Sequence, residues 1–212
     1  MKGKLQVHPS FYLFWFIFCL LDNEHILPVF LGAAVIHELG HAAAIYACGG
    51  CISGVSLSAC GAVIRQGRFL SYGADCIISL AGPAAGIAAA WLLCIWGFPV
   101  AAGANSMLSL FNCLPVLPLD GGCALRSLLA CRWDGSIDRM DRVLLYSSCL
   151  CSFVITLFGG FLLWYTARNA TILVIGLTLL FVNGSLLHGM HDYGMITVQS
   201  CRISMHNTWK QG

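Results

Sequence analysis

Three ionisable residues stand within five positions of one another at His37-Glu38-Leu39-Gly40-His41, inside an otherwise apolar run from Ile26 to about Cys48. The pattern is H-E-x-x-H. On a helix, residues four apart lie one above the other on the same face, so His37 and His41 can offer two imidazole nitrogens to one Zn²⁺. Glu38 sits about 100° round the helix from His37. It can reach a water on the metal without being a ligand, as a general base must. Histidines that merely hydrogen-bond across helices would give the same letters. An unused Glu at membrane depth is costly, however, by about the 2.5–3.5 kcal/mol that insertion scales assign to charged residues at a helix centre. A metal makes better use of the trio.

Catalytic zinc takes three protein ligands and keeps a fourth position for water. The third ligand should be another polar group at similar depth. Asp120, in Asn112-Cys113-Leu114-Pro115-Val116-Leu117-Pro118-Leu119-Asp120-Gly121-Gly122, is the best candidate. Two prolines break the apolar run before it and two glycines follow, which puts the carboxylate on unwound backbone free to bend toward a metal. Taken alone, Leu-Asp-Gly-Gly reads equally well as an ordinary turn at the end of a span.

The elements that must hold these groups are membrane spans. Of 212 residues, 11 are Lys or Arg and 9 are Asp or Glu, 58% are apolar, and the mean hydropathy is +0.82. So few charges cannot clothe a soluble globule, and disorder needs the opposite composition. A net charge of +2 gives no basis for a nucleic-acid partner. Apolar runs at 11–21, 26–48, 74–100, 101–117, 143–165 and 171–187 predict six transmembrane helices in an all-α polytopic membrane protein. With the N-terminus cytoplasmic, Lys2, Lys4, Arg65, Arg68, Arg126, Arg132, Arg139, Arg142, Arg202 and Lys210 fall inside and only Arg168 outside. This positive-inside asymmetry supports both the count and the orientation. Both termini are then cytoplasmic, with residues 190–212 as a short cytoplasmic tail.

Residues 49–73 are rich in glycine, with β-prone stretches at 52–57 and 62–64. They predict a small membrane-associated β-hairpin region after the second helix. Residues 122–142 predict a short helix at 124–131 and then a charged loop. With no repeat, linker or low-complexity tract, residues 1–212 read as a single membrane-embedded domain. Five of the twelve cysteines (Cys19, Cys94, Cys113, Cys149 and Cys151) stand isolated in spans, as small apolar residues would. Cys48 and Cys51 form a lone C-x-x-C without the second pair of a structural zinc site.

The order His37-Glu38-Leu39-Gly40-His41, then Ser79-Leu80-Ala81-Gly82-Pro83, then Asn112-x-x-Pro115 and Pro118-Leu119-Asp120-Gly121-Gly122 resembles the site-2 protease family of intramembrane zinc metalloproteases. The compact six-span layout, with no PDZ insertion, is most similar to the branch containing the bacterial stage IV sporulation protein FB, although members of that branch often carry a C-terminal CBS domain and none is expected here. Two positions depart from many relatives: Gly86 stands where they have Asn, and Cys123 where they have Arg. The resemblance implies one Zn²⁺ per chain held by His37, His41 and Asp120, Glu38 as the catalytic base, and Asn112 as a partner of the oxyanion. It implies cleavage of a transmembrane or membrane-associated protein near the cytoplasmic face of a bacterial inner membrane, within regulated intramembrane proteolysis and with sporulation as one setting. An inhibitory membrane partner belongs to the same expectation. Two other classes fit a buried metal motif: a membrane metal-ion transporter, and an inactive family member that scaffolds membrane partners. A transporter should string polar positions across several spans, and an inactive member should have lost Glu38 or a ligand.

Overall fold

In a computed structural model of the chain, which describes residues 4–7, 12, 16, 26–58, 61–67, 70–132, 137–166 and 171–193, the apolar runs are helices that bury small and polar side chains. Their large apolar side chains face outward. Val35, Leu39, Ile77, Trp91, Leu150, Phe158 and Phe181 are exposed, while His41, Asn105, Ser109, Ser148, Ser152 and Asn183 are almost wholly buried. A soluble domain has the reverse arrangement. In hydrocarbon, an apolar exterior costs nothing, and packing of small residues with interhelical hydrogen bonds holds helices together.

The described residues form two compact units, one made of those up to 113 and the other of those from 114 onward. The first unit contains strand β1 (Lys4–Val7), helix α1 (Leu27–Ala47), strands β2 (Ile52–Ser58) and β3 (Gly61–Gln66), and helices α2 (Tyr72–Ile95) and α3 (Pro99–Asn112). Pro28 opens α1 and Pro99 opens α3, where a missing N–H costs nothing. Ser71 caps α2 by accepting the Ala74 N–H at 3.2 Å. Helix α1 ends where Gly49 takes φ +76° and the Gly50 N–H returns to the Ile45 carbonyl at 2.8 Å. The turn after α2 repeats this at Gly97, φ +80°, with Phe98 N–H on the Leu93 carbonyl. Both are Schellman ends that need glycine in the left-handed region. The three helices pack on one another, and Ile45, Ala44, Ile64 and Ile78 form a core beneath them.

Strands β2 and β3 pair antiparallel with an irregularity between Ile52 and Gly54, and β1 adds parallel to β2, giving the order β1-β2-β3. Strand β1 is absent from the sequence reading, because four residues carry too little periodicity to register.

The second unit contains helices α4 (Asp120–Arg132), α5 (Ile137–Thr166) and α6 (Thr171–Tyr193). Here α4 begins at Asp120, not at 124, so the carboxylate is the first helical residue and the unwound stretch ends before it. An acid is favoured there by the helix dipole. Helix α5 begins at 137, so the end of the expected charged loop is helical. Arg126 of α4 grips Asp141 of α5 through two bonds of 2.8 and 2.7 Å, with the pair 13% and 5% exposed.

Among the described residues three helices, Leu27–Ala47, Tyr72–Ile95 and the Arg139–Tyr165 stretch of α5, are long and apolar enough to cross a membrane. The chain therefore reads as a mostly helical membrane protein. Helix α3 has 14 residues, about 21 Å at 1.5 Å each. It falls short of the roughly 30 Å hydrocarbon core. The expected first span at 11–21 lies outside the described residues except for Tyr12 and Phe16. The tail beyond 193 lies outside them as well.

Breaking one side of the buried Arg126–Asp141 pair should be costly because the other charge stays buried. Arg126→Met is expected to lower stability by about 3–5 kcal/mol, read as a depressed melting temperature in detergent. Adding Asp141→Leu to it should recover most of the loss.

Candidate metal centre

His37 and His41 project from one face of α1, 5% and 0% exposed, with their Nε2 atoms 3.1 Å apart. The rings meet edge to face, centroids 4.7 Å apart and planes at 84°. What aims His41 is a main-chain carbonyl of the neighbouring helix. His41 Nδ1 lies 2.7 Å from the Ile78 oxygen. That oxygen can only accept, so the proton sits on Nδ1 and Nε2 presents a lone pair. The Gly82 N–H lies 3.2 Å from the same Nδ1 and would need the opposite tautomer. The shorter contact, to a group that cannot donate, decides in favour of Nδ1–H. Metal-ligating histidines are oriented in the same way, by a carbonyl on the second nitrogen.

Helix α2 is built to let the ring in. Pro83 lacks an N–H and so removes the ladder bond to the Ser79 carbonyl, loosening the turn that contains Ile78. Gly82 lies directly under the imidazole: a Cβ there would overlap Nε2, Cε1 and Cδ2 of His41. Beside it, Gly40 of α1 has no room for a side chain against Ala81 and Ala85 of α2, so the two backbones approach closely. Gly82 and Gly86 of α2 clear room for different partners. Gly86 admits Ser109 of α3, and Gly82 admits His41.

Glu38 follows His37 on α1 and is half-buried. Asn112 is the last residue of α3 and donates one amide hydrogen to the Leu108 carbonyl of its own helix at 3.1 Å. That bond is within a helix, not between helices. In the second unit Asp120 is 8% exposed at the head of α4. The turn before it folds tightly on itself, since a Cβ on Gly122 would meet the Val116 carbonyl at 2.6 Å and the Leu117 nitrogen at 2.7 Å. This explains the second glycine of Leu-Asp-Gly-Gly. The Leu117–Pro118 peptide within the turn is cis. Cys48 and Cys51 are both free thiols, half-buried and exposed respectively.

The histidine pair suits a tetrahedral metal. Two nitrogens bound at about 2.0–2.1 Å with tetrahedral angles stand roughly 3.3 Å apart, close to the 3.1 Å observed. Asp120, a buried carboxylate of the second unit, offers an oxygen donor of the type that zinc also takes.

In structure the chain is similar to the site-2 protease from Methanocaldococcus jannaschii, with a TM-score of 0.69 over 88% of this chain and 92% of that one. The fold is that of a site-2 protease. Sequence identity is 21%, so the likeness is one of architecture. No family model matches the chain, and no curated protein matches it in sequence.

The Gly82 contact gives a direct test. Gly82→Ala is expected to push the His41 ring off its carbonyl, cost about 1–3 kcal/mol of stability by overpacking, and weaken Zn²⁺ binding in calorimetric titration. Gly32→Ala on α1, where a Cβ meets nothing within 4 Å, should leave binding unchanged.

Proposed function

We propose that the chain is an intramembrane zinc metallopeptidase of the site-2 protease family, hydrolysing a peptide bond in a transmembrane or membrane-associated protein. The observation that carries the reading is the facing pair of buried imidazoles. Two metal-type nitrogens stand 3.1 Å apart in an apolar helix, one of them fixed in tautomer by a carbonyl, with a carboxylate at the next position. A fold shared with a site-2 protease supports it. In the proposal His37, His41 and Asp120 hold one Zn²⁺ per chain. Bound zinc would supply Lewis acidity, polarising a carbonyl and acidifying a water at neutral pH.

The chain's own groups do the remaining work. Glu38 accepts the proton of the attacking water and delivers it to the leaving nitrogen, so the peptide departs as a neutral amine. Asn112 offers an amide hydrogen to the developing oxyanion, after giving up its bond to the Leu108 carbonyl. Ile78 keeps His41 from rotating. A substrate helix has no spare backbone carbonyls, so it must be unwound before attack, and pairing of an extended segment with a sheet edge in the first unit provides a way to hold it open.

The finer expectations belong to the same proposal: six spans in one domain with both termini cytoplasmic, the sheet region at the membrane, a cleavage site near the cytoplasmic face, and a bacterial inner membrane. The positive-inside count supports the orientation. Resemblance to the sporulation branch alone supports a sporulation precursor as substrate, with an inhibitory membrane partner. The fold does not favour a metal-ion transporter or an inactive scaffold.

Glu38→Gln keeps the shape and removes the base. With purified protein and a panel of single-span substrates, cleavage should fall by at least about 100-fold, the lower end of the usual contribution of a general base. Bound zinc should stay at the wild-type level. Retained cleavage in that variant would sink the mechanism.

A further inference from the structure

The stretch that delivers Asp120 is gripped at a single residue, and the grip is polar in an otherwise apolar interior. Leu117 is wholly buried. Its N–H donates to Ser148 Oγ of α5 at 3.0 Å. Its carbonyl accepts from Asn183 Nδ2 of α6 at 2.6 Å. Asn183 also donates to Ser152 Oγ at 3.2 Å and to the Leu179 carbonyl at 3.0 Å, and Ser152 returns its hydroxyl to the Ser148 carbonyl at 2.8 Å. Both main-chain polar atoms of one unwound residue are therefore answered by side chains from two helices.

We infer that Asn183, with Ser148, is a positioning residue that fixes the Leu117 peptide and through it the carboxylate of Asp120 for the metal. The inference rests on the proposed function. Its physical basis lies in what the amide does and what it leaves undone. Unwound backbone in a membrane interior is tolerated only when its N–H and C=O groups are satisfied, and Leu117 has no helical partner for either. The Asn183 amide aims its hydrogens at the Leu117 and Leu179 carbonyls and at Ser152, while its own Oδ1, equally buried, has no hydrogen-bond partner among the described residues. An orphaned amide oxygen makes Asn a poor choice for packing α5 on α6, which small or apolar residues do without penalty. What the amide adds is reach: it spans from α6 to a carbonyl 66 residues earlier in the chain. Only Pro118 and Leu119 separate Leu117 from the proposed ligand. Tight folding of the same turn at Gly122, against Val116 and Leu117, leaves little slack to absorb a shift.

The test uses full-length protein in detergent, with two readouts. Hydrogen exchange on the zinc-free protein reads the grip itself. Wild type should protect the Leu117 amide, and Asn183→Leu and Ser148→Ala should each lose that protection while the amides of α5 keep theirs. Zinc affinity by chelator competition reads the positioning. Both variants should bind Zn²⁺ about 10- to 100-fold more weakly, the range typical for groups that orient a ligand. Asn183→Gln, which keeps the amide, should recover most of the affinity. A variant that lowers the melting temperature of zinc-free protein yet binds Zn²⁺ with wild-type affinity overturns the inference and makes Asn183 a packing residue. A wild type that protects Leu117 but binds no zinc overturns the proposed function instead. Should Asn183→Leu fail to fold, Ser148→Ala gives the same two readings from the other side of the peptide.

Discussion

The hydrogen bond from His41 Nδ1 to the Ile78 carbonyl is the contact on which the arrangement around it depends. An imidazole in hydrocarbon must satisfy both nitrogens, and a helix ordinarily offers no carbonyl to do so. Here the neighbouring helix supplies one at 2.7 Å, next to a turn loosened by Pro83 and cleared by Gly82. With one nitrogen committed, the other has a fixed lone pair and a fixed direction, and it points at the second histidine. The close approach of α1 and α2 at Gly40 follows from the same need, because a wider gap would take the carbonyl out of range.

The second unit solves a related problem with side chains in place of a carbonyl. Unwound backbone before Asp120 exposes its own donors and acceptors, and α5 and α6 answer them through Ser148 and Asn183. In both units the helices turn polar and small residues inward and leave large apolar ones outside. Hydrophobic burial cannot discriminate between packings when lipid is as apolar as leucine. Hydrogen bonds and close backbone approach then carry the specificity, and they lie at the residues next to the proposed chemistry.

Much of this was legible in the sequence, for reasons that differ from place to place. H-E-x-x-H on an apolar run told which face of α1 matters, because helical spacing alone aligns the two histidines. Gly49 and Gly97 end α1 and α2 through local backbone geometry, whereas hydropathy alone carried the third expected span on to residue 100, past the helix end at Ile95. The start of α4 was misjudged because two glycines after Asp120 look like a continuing turn, whereas Gly122 is there to admit the Val116 carbonyl. Ile78 was invisible, since its contribution is a main-chain oxygen and any side chain would provide one. Gly82 stood out only as part of a motif, because the sequence does not reveal which atom fills a notch. Asn183 and Ser148 did carry a signal, as polar residues in apolar helices. Their partner, a peptide group in a distant turn, could not be named without coordinates.

The proposed function has a metal held by two imidazoles and a carboxylate, and the identity of the donor atoms decides whether it is. The chain contains twelve cysteines, so sulfur is the rival ligand. Zinc-edge X-ray absorption on purified, zinc-loaded protein distinguishes the two. The account predicts a first shell of nitrogen and oxygen at about 2.0–2.1 Å with the outer-shell scattering of two imidazoles. A shell of sulfur at about 2.3 Å, or scattering without histidine, would contradict it.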